Sequence, residues 1–176
     1  MARIPYLTSS TASETIAEPL SKLPSLHIFG LMAHAETVFR PWLRFSGALL
    51  NHLALDPVLR ELAILRVGQL TARYEWDQHV PLALAVGATQ QQIDALDRGD
   101  LDALEPLPRA VVDFVTGVVR DEVDDATYSS VSAFLDDREV VELTLVAGHY
   151  LMVARMMTTL RIDPDPAAGA DALLLG

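Results

Sequence analysis

The stretch from Asp56-Pro57 to Leu70 limits most what this chain can become. Aspartate followed by proline is a helix start signal, because the carboxylate caps free N–H groups and the proline ring presets the first helical φ. Behind it come Leu59, Leu62, Ile64, Leu65, Val67 and Leu70. These residues occupy more than one face of a helix, so the helix belongs at the centre of a helical fold. Glu61, Arg66 and Gln69 are the polar exceptions in it. A carboxylate in so apolar a helix must be paired, hydrated or functional, and Arg60 and Arg66 are its nearest candidate partners.

Helices are expected along the rest of the chain, with no strand pattern and no internal repeat. Residues 1–12 read as an arm, since Pro5 and Thr8-Ser9-Ser10-Thr11 oppose regular structure. A short helix follows from about Ser13 to Leu23, and Leu26 to Met32 is apolar enough for a buried one. Pro41 suits the first turn of a helix ending near Asn51. The next helix spans about Tyr74 to Val86, with Gly87 as its stop and Pro81 as a kink or a lost backbone bond near Asp77. Thr89 and Gln92 match a capping box. Asp97 to Pro108 reads as a polar connection. Val111, Val115, Val118 and Val119 then form a helical stripe, Asp124-Asp125 can cap the next helix, and Asp137 can cap a long one from Glu139 to about Leu160. Residues 13–162 thus form a single domain of about seven to nine helices, and the Pro-, Ala- and Asp-rich tail 163–176 is expected to be flexible.

Composition narrows the function. Of 176 residues, 51% are hydrophobic, which favours a folded core over disorder. No uncharged apolar run reaches the roughly 18 residues of a membrane helix, and no secretory signal is visible, so a cytoplasmic protein without a membrane partner is expected. The net charge of −11 comes without a basic stripe, which argues against nucleic acid. An anionic substrate would need local arginine, for which Arg66 and Arg73 are the candidates. There is no cysteine, so disulfides and thiolate chemistry are excluded.

Glu75 and His79 are four residues apart, which stacks both side chains on one helix face. Their ordinary pKa values are about 4.3 and 6.5, so near neutrality a carboxylate lies beside a mostly neutral imidazole. Such a pair can pass a proton, with burial raising the carboxyl until it can act as an acid. That suits proton transfer at carbon next to a carbonyl, or decarboxylation through an enolate. The same spacing also occurs as a surface pair contributing only about 0.2–0.5 kcal/mol. His149 and Tyr150 lie in an apolar helix and read as core residues. His27, His34 and His52 lack metal-ligand spacing and no HExxH pattern exists, so neither metal nor cofactor is expected. Glycine-rich phosphate loops and G-x-S-x-G nucleophile motifs are absent.

Arg60-Glu61-Leu62-Ala63-Ile64-Leu65-Arg66-Val67 together with Tyr74-Glu75-Trp76-Asp77-Gln78-His79-Val80-Pro81 resemble the carboxymuconolactone decarboxylase / alkyl hydroperoxidase D-like (AhpD-like) superfamily, in its cysteine-free branch. The likeness extends to His27-Ile28-Phe29, Ala48-Leu49-Leu50, Asp136-Asp137-Arg138, Glu142-Leu143 and Gly148-His149-Tyr150. It implies an all-α AhpD-like fold assembled as a symmetric homo-oligomer (dimer, trimer or hexamer), with sites near subunit contacts. In the peroxidase branch a Glu, two cysteines and a His form the redox site. Glu61 matches that Glu, His79 matches the His, and Glu75 stands where the second cysteine would be. The chain is one residue shorter near Ala72-Arg73. A thiol peroxidase role is closed to it.

In the decarboxylase branch a Glu and a His four apart act on a lactone carboxylate, as Glu75 and His79 are placed to do. The expected function is a cofactor-free decarboxylase (lyase) or isomerase on a small carboxylated lactone or enolisable acid. His79 would be the general acid/base, Glu75 its partner or the alternate acid, and Glu61 a buried relay. Tyr74, Arg66 and His149 would bind substrate, Tyr74 by hydrogen-bonding an oxyanion and Arg66 by neutralising a carboxylate. The alternative is a non-catalytic oligomeric scaffold, in which Glu61 pairs with arginine and Glu75 faces solvent.

Overall fold

Asp56 accepts hydrogen bonds from the N–H groups of Val58 and Leu59 and starts the helix that organises everything else, α4 (Pro57–Thr71). The computed structural model describes residues 1–168. In chain order the helices are α1 (Glu14–Ser21), α2 (His27–Met32), α3 (Glu36–Asn51), α4, α5 (Arg73–Val86), α6 (Gln90–Arg98), α7 (Pro106–Arg120), α8 (Asp125–Ser132) and α9 (Asp137–Leu160). No strand occurs among the described residues, so the all-α expectation holds.

Helix α4 is buried on all sides from Leu59 to Gly68, packed among α5, α7 and α9. This is the geometry its unpatterned apolar residues demand. One set of core residues joins Leu59, Ala63 and Val67 to α7, α8 and α9. A second joins Leu62 and Leu65 to Trp76, Ile93 and Leu96 on α5 and α6. A third, around Phe39 and Trp42, packs α1 to α3 on the C-terminal half of α9.

The approach of α5 to α4 depends on Gly68. A Cβ there would lie 2.7 Å from the backbone nitrogen of Trp76 and 3.2 Å from the Cβ of Glu75. The bare glycine lets the two helices close to backbone contact and fixes the height of Glu75 against α4. Gly87 ends α5 with φ 109°, a left-handed cap suited to glycine. The Thr89–Gln92 capping box forms as expected.

Several boundaries differ from the sequence expectation. Helix α3 begins at Glu36, so Pro41 lies inside it rather than in its first turn. Helix α5, by contrast, ends at Val86 as expected, with Pro81 inside it leaving the Asp77 carbonyl without its helical donor. The long helix is capped by Asp136, not Asp137, in a box with Glu139. Helix α9 has the length and mean hydropathy (1.3) of a membrane span, although it carries charged residues, but 56% of that window is buried inside the domain, where it serves as a core helix.

The expected flexible tail is corrected over residues 163–168. The Asp165 carboxylate accepts hydrogen bonds from the Tyr74 hydroxyl (2.6 Å) and the His27 backbone N–H (2.7 Å), and contacts His27 Nδ1 at 2.7 Å. Gln78 donates to the Asp165 and Pro166 carbonyls and accepts from the Ala168 N–H. The remainder of that tail lies outside the described residues. The arm is also fastened, Arg3 donating its N–H to the Leu160 carbonyl and Leu7 to that of Gly30.

Candidate active site

Glu61 projects from the middle of α4 and has no solvent exposure. One of its oxygens accepts two hydrogen-bonding contacts from the Arg60 guanidinium, at 3.0 Å and 2.9 Å. The other lies 2.8 Å from Nδ1 of His79. Arg60 is held in turn by the Leu50 carbonyl. The far side of the imidazole, Nε2, lies 3.5 Å from the Glu75 carboxylate. The Glu75–His79 spacing on α5 thus places both groups on the face that meets Glu61. The three residues form one continuous chain, Glu61–His79–Glu75, all buried.

Burial dominates the electrostatics. Desolvation, reinforced by the charge of Glu61 and opposed by His79, raises the Glu75 carboxyl to about 7. Burial pulls the His79 imidazole down, but the charge and hydrogen bond of Glu61, with the charge of Glu75, outweigh it and raise its pKa. His79 therefore keeps its proton to higher pH than a free imidazole, while Glu75 titrates near neutrality.

Glu75 and His79 open onto a cavity of about 90 Å³ between α2, α3, α5 and α9. That is several times the space one ordered water needs. Its walls are mainly apolar, with Ile28, Phe29, Trp42, Leu50 and Val153 among them. His149 also lines it, with Nε2 3.1 Å from the Ser46 hydroxyl. Desolvation, with the nearby charge of His79, lowers the His149 pKa to about 4, so it is neutral. Its Nδ1 and the Trp42 indole nitrogen are buried without a partner among the described residues. Tyr150 stands edge-on between the two imidazoles, 5.0 Å from His79 and 5.2 Å from His149.

Tyr74 lines the cavity too, but its hydroxyl is engaged by Asp165, and burial followed by that hydrogen bond raises its pKa. Arg66 is a correction. It is buried on a different face of α4, its Nε bonded to the Thr116 hydroxyl at 2.8 Å and its guanidinium to Gln69. Five residues along a helix turn a side chain about 140° away, so Glu61 and Arg66 diverge. Arg73 is exposed and paired with Asp77 and Asp97. Sequence reasoning gave Arg60 only as a partner of Glu61 and missed Ser46, Gln78 and Asp165 at the site. Gln78 lay within the motif, whereas nothing in the tail marked Asp165. Among the described residues no group of three or more His, Asp or Glu side chains is placed to hold a metal ion.

This helical frame, with a buried Glu–His–Glu chain and no cysteine, defines a thiol-free protein of AhpD-like fold. The family model of the carboxymuconolactone decarboxylase family matches residues 36–116, which include Glu61, Glu75 and His79. An uncharacterized peroxidase-related protein from Ralstonia eutropha JMP134 with an alkylhydroperoxidase AhpD core superposes with a TM-score of 0.80 at 18% identity, covering 99% of this chain and 95% of that one. A peroxidase-related protein from Silicibacter sp. TM1040 gives 0.72 at 17% identity, covering 91% and 85%. A putative antioxidant defence protein AhpD from Agrobacterium tumefaciens, of unknown function, gives 0.66 at 18%, covering 73% and 90%. These likenesses establish the fold. No curated protein sequence matches the chain.

Proposed function

We propose that the protein is a cofactor-free proton-transfer enzyme, a decarboxylase or isomerase acting on a small enolisable carbonyl compound such as a lactone. The observation that carries this reading is the buried Glu61–His79–Glu75 chain, whose His79 and Glu75 line one cavity. The roles differ from the sequence expectation in emphasis. Glu75 is the group that gains and loses a proton near neutrality, which suits a general acid/base. His79, held by Glu61, lies beside it and favours the ionised form of Glu75 that a base requires. Glu61 fixes the imidazole, and Arg60 balances Glu61.

In an isomerisation, ionised Glu75 removes the proton α to the carbonyl, the electron pair moves into an enolate, and protonated Glu75 returns the proton at another carbon. In a decarboxylation, loss of carbon dioxide generates the enolate and protonated Glu75 supplies the proton. Neither route needs a thiol. The test is deuterium exchange at the α-carbon of small lactones and ketones, followed by NMR. Wild type should exchange, and His79→Gln and Glu75→Gln should each lose at least about a hundredfold. Unchanged exchange in both folded variants would defeat the reading.

One observation favours the scaffold alternative, since Glu61 does pair with an arginine. Glu75, however, is buried at a cavity rather than facing solvent. We further propose self-association through α9. Val141, Leu145 and Met152 are exposed at 59%, 45% and 45% and share one face of that helix, and Phe45, 42% exposed, packs edge-on to His149 nearby. A Leu145→Lys variant should have a smaller mass than wild type by light scattering. An unchanged mass in both would remove this interface.

A further inference from the structure

We infer that the cavity beside Glu75 and His79 selects an uncharged substrate, a small lactone or ketone without a free carboxylate, and therefore that its reaction is a proton shift rather than a decarboxylation. This rests on the proton-transfer reading above.

Charge around the cavity is already balanced. Arg60 and protonated His79 supply the positive charges, and Glu61 and ionised Glu75 supply the negative ones. Each cation is committed. Arg60 is spent on Glu61 and the Leu50 carbonyl. His79 has Glu61 on Nδ1 and Glu75 against Nε2. Among the described residues lining the cavity there is no lysine or arginine, and the other imidazole there, His149, is neutral because burial suppresses its protonation. Arg66, the residue best suited by sequence to meet a carboxylate, points toward α7.

A substrate carboxylate would therefore sit without a free cationic partner among mainly apolar walls, with ionised Glu75 nearby. Burying an uncompensated charge is among the most costly events in binding. A neutral carbonyl compound avoids this cost. It also leaves Glu75 free to ionise, which a base requires. The net charge of −11 adds long-range repulsion of anions in the same direction.

The step balances without a co-reactant. For a β,γ-unsaturated γ-lactone, ionised Glu75 breaks the α C–H bond and gains an O–H. The electron pair moves through the ring to place charge on the carbonyl oxygen, and the same proton then forms the new C–H bond at the γ-carbon. The product is the α,β-unsaturated isomer, with no atom gained or lost.

The test uses the full chain at about pH 8, where Glu75 is mostly ionised. The probes are α-angelica lactone and the same ring bearing a carboxymethyl group. Binding is followed by titration of the His79 ring signals, and turnover by deuterium incorporation and double-bond migration. The expected result is binding and isomerisation of the neutral lactone, with the carboxylate bound at least about tenfold more weakly. Equal or tighter binding of the carboxylate overturns the inference and leaves proton transfer standing if either probe exchanges. Binding of the neutral lactone with neither probe exchanging overturns the proton-transfer reading, and with it the assigned reaction. Failure of both to bind overturns the inference.

Discussion

Nδ1 of His79 on α5 lies 2.8 Å from Oε2 of Glu61 on α4, and both groups are removed from solvent. A buried carboxylate of this kind is stable only because Arg60 and His79 share it. Glu61→Gln should therefore return the His79 pKa downward, since the charge and hydrogen bond that raise it are lost. The imidazole NMR titration of His79 reports this directly, and an unchanged midpoint would show that Glu61 does not hold it.

Glu75 makes the fold sensitive to pH in a defined direction. Its carboxyl titrates at about 7 in the folded chain against an ordinary 4.5. Between those values the native state keeps a proton that the unfolded chain has lost, so stability falls as pH rises through the interval. His79 acts with the same sign. Its folded pKa is raised above 6.5, so its stabilisation is present below that value and fades as pH climbs through the raised one. Glu75→Gln should be more stable than wild type at about pH 8 by roughly 1–3 kcal/mol, with little difference at about pH 4. Urea denaturation at the two pH values measures this.

Gly68 sets the distance between the helices that carry the site. An added Cβ would meet the Trp76 backbone nitrogen at 2.7 Å, where the obstacle is main chain and cannot rotate aside. Gly68→Ala should cost about 1–3 kcal/mol by overpacking. It should also push Glu75 away from its neighbours, so α-proton exchange should fall by more than the stability loss explains. Calorimetry paired with exchange rates separates the two effects.

Glu142 tests the frame without touching the site. Its carboxylate accepts from the N–H groups of Ala54 (2.7 Å) and Leu55 (2.8 Å) and from Arg138 (2.8 Å), tying the α3–α4 loop to α9. Burial works to raise its pKa, but these bonds outweigh it and lower it. Its stabilisation is thus present above 4.5 and lost as pH falls below that value. Glu142→Ala should lose roughly 2–3 kcal/mol at neutral pH while leaving the His79 titration unchanged.

Asp165 fastens residues 163–168 over Tyr74 and Gln78. Asp165→Ala leaves the Tyr74 hydroxyl and the His27 N–H without their acceptor. The Ala168 amide, bonded to Gln78, should then exchange with solvent faster by hydrogen-exchange mass spectrometry. Equal protection in variant and wild type would show that Gln78 alone holds the segment.

The helical frame could be read from the sequence because its signals are local. Asp56-Pro57, Thr89–Gln92 and Gly87 are start and stop chemistry confined to a few residues, and the apolar spread of α4 requires burial wherever it lands. The Glu75–His79 pair was equally local. Its meeting with Glu61 depended on how α4 and α5 close at Gly68, a tertiary contact that spacing does not encode. Arg66 misled for the same reason: proximity in sequence to Glu61 places it on another face of the helix. Asp165 was invisible because a lone aspartate between prolines carries no pattern, and its role comes only from the partners that the fold brings to it.

The most direct measurement is a carbon-13 NMR titration of the Glu75 carboxyl in the full chain, assigned by comparison with Glu75→Gln. A midpoint near 7 is predicted, set by burial and by the charges of Glu61 and His79. A midpoint near the ordinary 4.5 would mean that Glu75 is not poised to exchange a proton at neutral pH, and would contradict the account.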